Sequence, residues 1–210
     1  MRAIDAAAID MLGIPRLLLM EHAGVAVARA ARELRPPPAV VVACCGAGFN
    51  GGDGLAAARH LTSWGYRVSV ILTGAMDSLA GEPAVFARIL ARQRVPFIDA
   101  ARQPGEASTQ VAAAVMLLDA LVGVGLRGPI REPALTLIQH MNAAAVPIIA
   151  ADVPSGLDGD DGSVHGLAVR ATVTVSFGMA KQGCARGQGP AHAGRLLVDD
   201  ISLPPELLTS

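Results

Sequence analysis

Two aspartates in this sequence stand where a carboxylate could do chemistry. Asp119 and Asp152 each follow a short apolar run directly, at 115–118 and at 147–151. If both runs are strands of one parallel sheet, their carboxyl ends share an edge, and both side chains point into the same crevice. A carboxylate there can take a proton from a substrate and return one. Each aspartate also has a simpler explanation that stays open. Asp152 could satisfy backbone donors in a tight turn, and Asp119 could cap its own loop.

A glycine-rich stretch at 45–54 is the second candidate for a site. It follows an apolar run, precedes a helical pattern, and carries five glycines between positions 46 and 54. Because glycine lacks a Cβ atom, a ligand can approach the main chain here and the turn can adopt positive φ. Backbone N–H groups at the start of such a helix attract polar or anionic ligands. We expect Asn50 to cap this helix or to reach the ligand.

The same stretch contains the pattern G-x-G-x-x-G, formed by Gly46, Gly48 and Gly51. A dinucleotide-binding unit would also need an acidic residue about 20 positions further on, at the end of the next strand. That strand ends in Leu72, Thr73 and Gly74, without an acid. An NAD-dependent oxidoreductase is therefore the less favoured interpretation.

Composition excludes several classes of protein. The chain has 210 residues, 52% of them hydrophobic, and a formal net charge of −1. This balance gives no electrostatic reason to expect nucleic acid or a membrane surface as a partner. The N-terminal region carries Asp5, Asp10 and Arg16 where a signal peptide would be apolar, so we do not expect export. Three cysteines without C-x-x-C spacing indicate packing residues in a reducing, cytoplasmic compartment.

Strand and helix patterns alternate along most of the chain. This alternation predicts an α/β fold, a three-layer αβα Rossmann-like sandwich with a mostly parallel sheet and N-terminal helices. We predict one domain, with a helical segment over 1–38 and the sandwich over 39–210. The predicted helices cover 4–12, 16–34, 51–64, 82–93, 105–113 and 132–144. The predicted strands cover 39–45, 66–72, 95–98, 115–119, 147–152, 171–177 and 195–201.

The polar segments at these strand ends, taken together and in order, resemble the NAD(P)H-hydrate epimerase family. The resemblance covers nearly the whole chain and is carried by residues 1–5, 19–24, 48–54, 119–126, 152–158 and 177–183. This family interconverts the R and S forms of NADHX and NADPHX, which are hydrated, damaged nicotinamide nucleotides. A stereospecific dehydratase can then restore the usable cofactor.

The resemblance implies a role for each matching residue. Asp152 would be the catalytic carboxylate beside the hydrated carbon, and a potassium ion would be held by Asn50, Asp119 and Ser155. Substrate contacts are implied for Asn50, Gly51, Gly52, Asp53, Gly123, Val124, Gly125, Leu126, Arg127, Gly128, Pro129 and Asp152. We also expect Lys181, the only lysine of the chain, to lie near the nucleotide or its phosphates.

Two positions depart from the family pattern. Phe49 stands where the family commonly has asparagine, and Val124 stands where it often has threonine. A second class of function stays open, a catalytically inactive nucleotide-binding or scaffolding module of the same fold. Phe49 favours it mildly, whereas the retention of Asp119 and Asp152 argues against it. The resemblance further implies a homodimer formed through the N-terminal helices. It also implies functional coupling to an NAD(P)HX dehydratase, either as a separate protein or fused to this chain.

Overall fold

A computed structural model describes residue 4 and residues 6–208. Its seven strands form one sheet in the order β3-β2-β1-β4-β5-β6-β7, and every neighbouring pair is parallel. The strands are β1 Val40–Cys45, β2 Arg67–Leu72, β3 Phe97–Asp99, β4 Met116–Ala120, β5 Ile148–Ala151, β6 Val173–Phe177 and β7 Arg195–Asp199.

Helices cover both faces of this sheet. They are α1 Arg16–Leu34, α2 Phe49–Ser63, α3 Gly81–Arg92, α4 Pro104–Ala113, α5 Ala134–Ala143, α6 Gln182–Ala185, α7 Gly189–His192 and α8 Pro205–Leu208. A short π-helical turn covers Ala7–Met11, and a 3-10 turn covers Met76–Ser78. No helix within the described residues is long and apolar enough to cross a membrane.

Strand β1 shows why the apolar runs form a buried sheet. Val41, Ala43 and Cys45 belong to the core beneath α1, α2 and α3, while Val42 and Cys44 belong to the core beneath α4 and α5. Successive side chains of a strand point to opposite faces, so a strand covered on both sides must be apolar throughout. The predicted three-layer αβα architecture is confirmed, and the sheet is parallel in all of its strand pairs.

The strand order reverses beside β1. The chain runs outward from β1 through β2 to β3, and then returns to place β4 on the other side of β1. Loops that leave the carboxyl ends of β1 and β4 therefore diverge, and they open the crevice in which ligands bind in sheets of this type. The glycine-rich stretch follows β1 and Asp119 lies in β4, so the topology brings both to this crevice.

Helix α1 packs closely over α2 on the same side. A Cβ atom added to Gly24 would lie 2.4 Å from the Cβ of Ala56, so only glycine permits this approach. The boundaries predicted for α1 are confirmed. The helix predicted over 4–12 is observed as the π-helical turn Ala7–Met11, with Ile4 and Ala6 also helical. Residue 5 of that prediction, and residues 1–3 and 5 of the resembling segment 1–5, lie outside the described residues. The helix predicted from 132 begins at Ala134, after Pro133.

Candidate active site

A cavity of about 700 Å³ opens at the carboxyl ends of β1, β4, β5 and β6. The turn Ala7–Met11 and the first part of α1 form its opposite wall. Seven of the residues predicted to contact the substrate line it, and these are Asn50, Asp53, Gly123, Val124, Gly125, Asp152 and Lys181. The fold thus brings four segments that are distant in sequence around one space large enough for a small molecule.

The other predicted contacts lie outside the cavity wall. Gly51 and Gly52 are buried in protein packing, and the segment 126–129 lies beyond the mouth, with Arg127, Gly128 and Pro129 exposed. A Cβ atom on Gly52 would lie 2.5 Å from the side chain of Met20 in α1.

The glycines of the 45–54 stretch permit close packing between backbone segments. None of the five adopts positive φ. A Cβ atom on Gly46 would lie 2.0 Å from the carbonyl oxygen of Leu121, and one on Gly51 would lie 1.9 Å from the carbonyl oxygen of Gly46. The positive φ that these glycines permit is therefore not adopted in this turn. Gly46 lets the loop after β1 press against the loop after β4, and Gly51 lets α2 begin directly over β1.

Asn50 is not the cap of α2. The helix begins at Phe49 and its cap is Gly48, so Asn50 lies within the first turn. Its side-chain oxygen and nitrogen are both buried, and neither has a hydrogen-bond partner among the described residues. Gly123 from the loop after β4 approaches closely, since a Cβ atom there would lie 3.2 Å from Asn50 Oδ1. A buried amide without partners costs free energy, and it marks a position where a bound group would be accommodated.

Asp119 is fully buried at the end of β4, where no described salt bridge includes it. Its Oδ1 accepts hydrogen bonds from the hydroxyl of Ser155 at 2.6 Å and the amide of Leu121 at 3.3 Å, and its Oδ2 accepts one from the amide of Ser155 at 2.7 Å. Burial raises the pKa of Asp119 to about 6, although the hydrogen bonds from Ser155 and Leu121 oppose the shift. The Leu121 bond also fulfils the simpler role of capping the loop.

Ser155 joins the loops that follow β4 and β5. Its Oγ accepts a hydrogen bond from the amide of Val122 at 2.9 Å and lies 2.6 Å from Asp119 Oδ1.

The neighbouring thiols of Cys44 and Cys45 are free and buried, as expected for packing residues. Burial raises the pKa of both thiols, and the negative charge of Asp119 adds to the effect. The described residues include no cluster of three or more His, Cys, Asp or Glu side chains suited to a metal ion.

Asp152 follows β5 with a backbone φ of 68°, in the left-handed region that non-glycine residues seldom adopt. Its side chain faces the cavity and forms an ion pair with Lys181, and its Oδ1 also accepts a hydrogen bond from the amide of Phe177 at 3.2 Å. The simpler explanation for Asp152 is thus partly fulfilled, since it does satisfy one backbone donor. The ion pair has no place in that explanation.

Residues of the N-terminal wall were not predicted to belong to the site. Arg16 lines the cavity, and its guanidinium carbon lies 4.3 Å from the ring centroid of Phe49. Phe49 itself is 53% exposed and forms part of the wall. The helical spacing of α1 indicates an apolar face, but it does not indicate which part of the sheet edge that face covers. Sequence reasoning therefore had no signal for Arg16.

Comparisons with known proteins agree on one family. The family described as "YjeF-related protein N-terminus" matches residues 16–183. A curated protein of Limosilactobacillus fermentum named "NAD(P)H-hydrate epimerase" is 38% identical, and the match covers 95% of this chain and 93% of that protein. The "Bifunctional NAD(P)H-hydrate repair enzyme Nnr" of Pyrobaculum aerophilum is 41% identical over 94% of this chain.

The chain spans only 40% of the length of that bifunctional relative. Among solved structures, the yeast protein ynu0 is similar with a TM-score of 0.79 and 26% identity. That similarity covers 88% of this chain and 80% of the yeast protein.

Proposed function

The chain belongs to the family of YjeF-related N-terminal domains, and from that membership we propose that it is an NAD(P)H-hydrate epimerase, an isomerase that interconverts the R and S forms of NADHX and NADPHX. One observation carries the proposal. The carboxylate of Asp152 faces a cavity of about 700 Å³ at the strand-order reversal, where this fold binds small molecules.

The reaction needs a group that accepts a proton from the substrate and later returns one. Inverting the carbon that carries the added hydroxyl requires one of its bonds to break and to form again on the opposite face. A carboxylate can accept a proton in the first step and return it in the second, which leaves the protein unchanged. Asp10, Asp53 and Asp152 all line the cavity, whereas Asp119 is fully buried and does not. We assign the role to Asp152 because the family resemblance implies this carboxylate beside the hydrated carbon.

Potassium fits the residues that surround Asp119. We propose that Asn50, Asp119 and Ser155 hold this ion. The buried amide of Asn50 lacks a partner among the described residues, and the buried charge of Asp119 has no described cationic partner. One carboxylate with neutral oxygens suits a weakly charged ion, whereas divalent metals are commonly bound through more carboxylates or retained waters. When bound, potassium would supply positive charge that offsets Asp119 and joins the loops after β1, β4 and β5.

Thermal unfolding in different salts tests the potassium proposal without an activity assay. We expect the melting temperature to be higher in potassium chloride than in tetramethylammonium chloride at equal ionic strength, because binding to the folded state alone stabilises it. Asn50→Leu should remove this difference in melting temperature. Gln93→Leu is the control and should preserve the difference, because Gln93 is the exposed cap residue after α3 and does not line the cavity. Equal melting temperatures of wild type in both salts would contradict potassium binding.

We also propose a homodimer and functional coupling to an NAD(P)HX dehydratase. Four large apolar side chains near the N-terminus are exposed, and these are Met11, Leu12, Leu17 and Leu18. Clustered exposed apolar residues are typical of protein interfaces. Gel filtration with light scattering tests the dimer, and a wild-type protein that elutes as a monomer at micromolar concentration would contradict it.

A coupled assay tests the epimerase activity directly. An S-specific dehydratase first consumes the S form of NADHX completely, and this protein is then added while the remaining R form is followed. We expect rapid consumption with wild type and with the exposed control Asp160→Asn, and loss of activity with Asp152→Asn. If folded wild-type protein did not accelerate consumption of the R form, the proposed epimerase activity would be refuted. If that protein still bound a nicotinamide nucleotide, an inactive nucleotide-binding module would become the better proposal.

A further inference from the structure

Lys181 is a buried cation in the wall of the cavity. It is only 6% exposed, and its ammonium forms an ion pair with Oδ1 of Asp152. The same ammonium lies 2.7 Å from the carbonyl oxygen of Phe177 and 3.4 Å from that of Met179. A lysine ammonium has three N–H donors, and three acceptors from the protein surround this one. The ammonium is therefore directed into the protein, toward Asp152.

The peptide of Phe177 closes a small network between the two charged groups. Its N–H donates to Asp152 Oδ1 at 3.2 Å, and its carbonyl accepts from Lys181 Nζ. Among the described residues, both side-chain contacts of the Asp152 carboxylate thus fall on Oδ1. Because Asp152 lines the cavity, Oδ2 is the oxygen that remains for a ligand.

Two unusual turns bring these groups together. Asp152 has a φ of 68°, and the amide of Val153 donates to the carbonyl of Ala151 at 2.8 Å, which forms a three-residue turn centred on Asp152. Strand β6 ends in the same way at Gly178, which has a φ of 70°. Turns of this kind are rare and strained for a residue with a side chain, and such strain concentrates at functional sites. Glycine adopts the turn easily, but at Asp152 the surrounding contacts must hold it.

The backbone around Lys181 is also fixed by close packing. The amide of Gly183 donates to the carbonyl of Gly159 at 2.8 Å, and a Cβ atom on Gly183 would lie 2.0 Å from the carbonyl of Asp158. The loop after β5 therefore holds the segment that carries Lys181. Asp152 precedes β6 and Lys181 follows it, and the backbone at both residues is held in place by these contacts.

We propose that Lys181 is a positioning residue for Asp152, a role that rests on the proposed epimerase function. It holds Oδ1 through a charge-assisted contact, so that Oδ2 faces the hydrated carbon of the substrate in one orientation. Buried charged groups are retained where they have a specific partner, and each charge here is the partner of the other. The sequence led us to expect Lys181 near the nucleotide or its phosphates. The positioning role is distinct from a phosphate contact, because the donors of the ammonium are directed at acceptors within the chain.

Steady-state kinetics separates the two roles. A residue that positions the catalytic group affects kcat, whereas a residue that binds the nucleotide phosphates affects KM. For Lys181→Met we expect kcat to fall about 100-fold, since a misplacement of about 1 Å can cost that much, with KM nearly unchanged. Arg186→Met removes an exposed positive charge from the same segment and should leave both constants unchanged. A rise in KM with kcat preserved would overturn the proposal in favour of phosphate binding.

Chemical rescue adds a measurement that a purely structural role would not affect. Lys181→Ala leaves space for a small amine, and we expect ethylammonium to restore part of kcat by occupying the place of the lost ammonium. Tetramethylammonium carries the same charge but has no N–H donor, so it should not restore activity. Equal effects of both ions, or of neither while Lys181→Ala remains folded by circular dichroism, would overturn the positioning role.

A spectroscopic test makes the inference independent of catalysis. The carboxyl carbon of Asp152 can be observed by carbon-13 NMR and assigned through its loss in Asp152→Asn. We expect this signal to shift and broaden in Lys181→Met and to stay in place in Arg186→Met. An unchanged signal in Lys181→Met would refute the positioning role even with an active wild type. A shifted signal with wild type inactive on NADHX would instead refute the proposed function alone.

Discussion

Ser155 contacts both carboxylate oxygens of Asp119, through its hydroxyl on Oδ1 at 2.6 Å and through its backbone amide on Oδ2 at 2.7 Å. The two residues belong to neighbouring strand ends, so this contact fastens the loop after β5 to the end of β4. Asp152 begins that same loop, so the position of the proposed catalytic carboxylate depends on a contact between two other residues.

Removing the Ser155 hydroxyl should therefore destabilise the protein. In Ser155→Ala, Asp119 loses one hydrogen bond and the amide of Val122 loses its acceptor. Leaving buried polar groups unsatisfied costs about 1–3 kcal/mol, so we expect the free energy of unfolding to fall by about that amount. Urea denaturation measures it. Ser63→Ala, on the exposed surface of α2, is the control and should change it by no more than about 0.5 kcal/mol. Equal losses in both variants would contradict the role of Ser155.

The raised pKa of Asp119 predicts how stability depends on pH in potassium-free buffer. The folded-state pKa of Asp119 is about 6, above the ordinary aspartate pKa of 3.8, so the folded protein binds the proton more tightly than the unfolded chain. Stability from this group is complete below about pH 4 and is lost as the pH rises to about 6. Two pKa units correspond to about 3 kcal/mol. Relative to Asp119→Asn, wild type should lose about this much free energy of unfolding between pH 4 and pH 7.

Urea denaturation of both proteins at the two pH values measures this difference. Asp160→Asn, in an exposed turn, should follow wild type at both values. If wild type and Asp119→Asn showed parallel pH dependence, the buried carboxylate would not titrate in this range.

Much of the sheet and the location of the site follow from local patterns. The apolar run that becomes β1 has no polar position, and this predicts a strand covered on both faces. Asp119 and Asp152 end neighbouring strands, so alternation of strands and helices was enough to predict that they share an edge. The resemblance to a family then connected Asn50 and Ser155 to the same place.

The contacts that arise from distant segments could not be predicted. Lys181 reaches Asp152 because the strained turn at Asp152 and the turn at Gly178 bring the two side chains together. The turn at Asp152 has no sequence signature, since positive φ is unusual for aspartate. Asn50 was expected to cap α2 or to reach the ligand; the helix begins one residue earlier, at Phe49, where Gly51 packs closely against Gly46, so the capping alternative is wrong. Tertiary packing overrides a local preference in both cases.

Gly24 offers a test of the close contact between α1 and α2. In Gly24→Ala the new Cβ would lie 2.4 Å from the Cβ of Ala56 and 2.7 Å from its carbonyl carbon, so the helices must separate. Overpacking of this kind costs about 1–3 kcal/mol, which exceeds the gain in helix propensity of about 1 kcal/mol. We expect a lower melting temperature. Gly105→Ala in α4 is the control with the opposite sign, because no atom lies within 4 Å of its new Cβ. Stabilisation by both substitutions would contradict the close contact.

Phe49 and Arg16 form the wall where this chain departs from the family pattern. Arg16 lies 4.3 Å from the ring centroid of Phe49, a contact worth about 0.5–1 kcal/mol at an exposed site. Phe49→Ala should release Arg16 and raise the KM for NADHX by about 2- to 5-fold. We expect kcat to stay unchanged, because Phe49 carries no group that takes part in the proposed proton transfer. Met76→Ala removes an exposed apolar side chain outside the cavity and should change neither constant. A fall in kcat with KM unchanged would instead place Phe49 beside the reacting carbon.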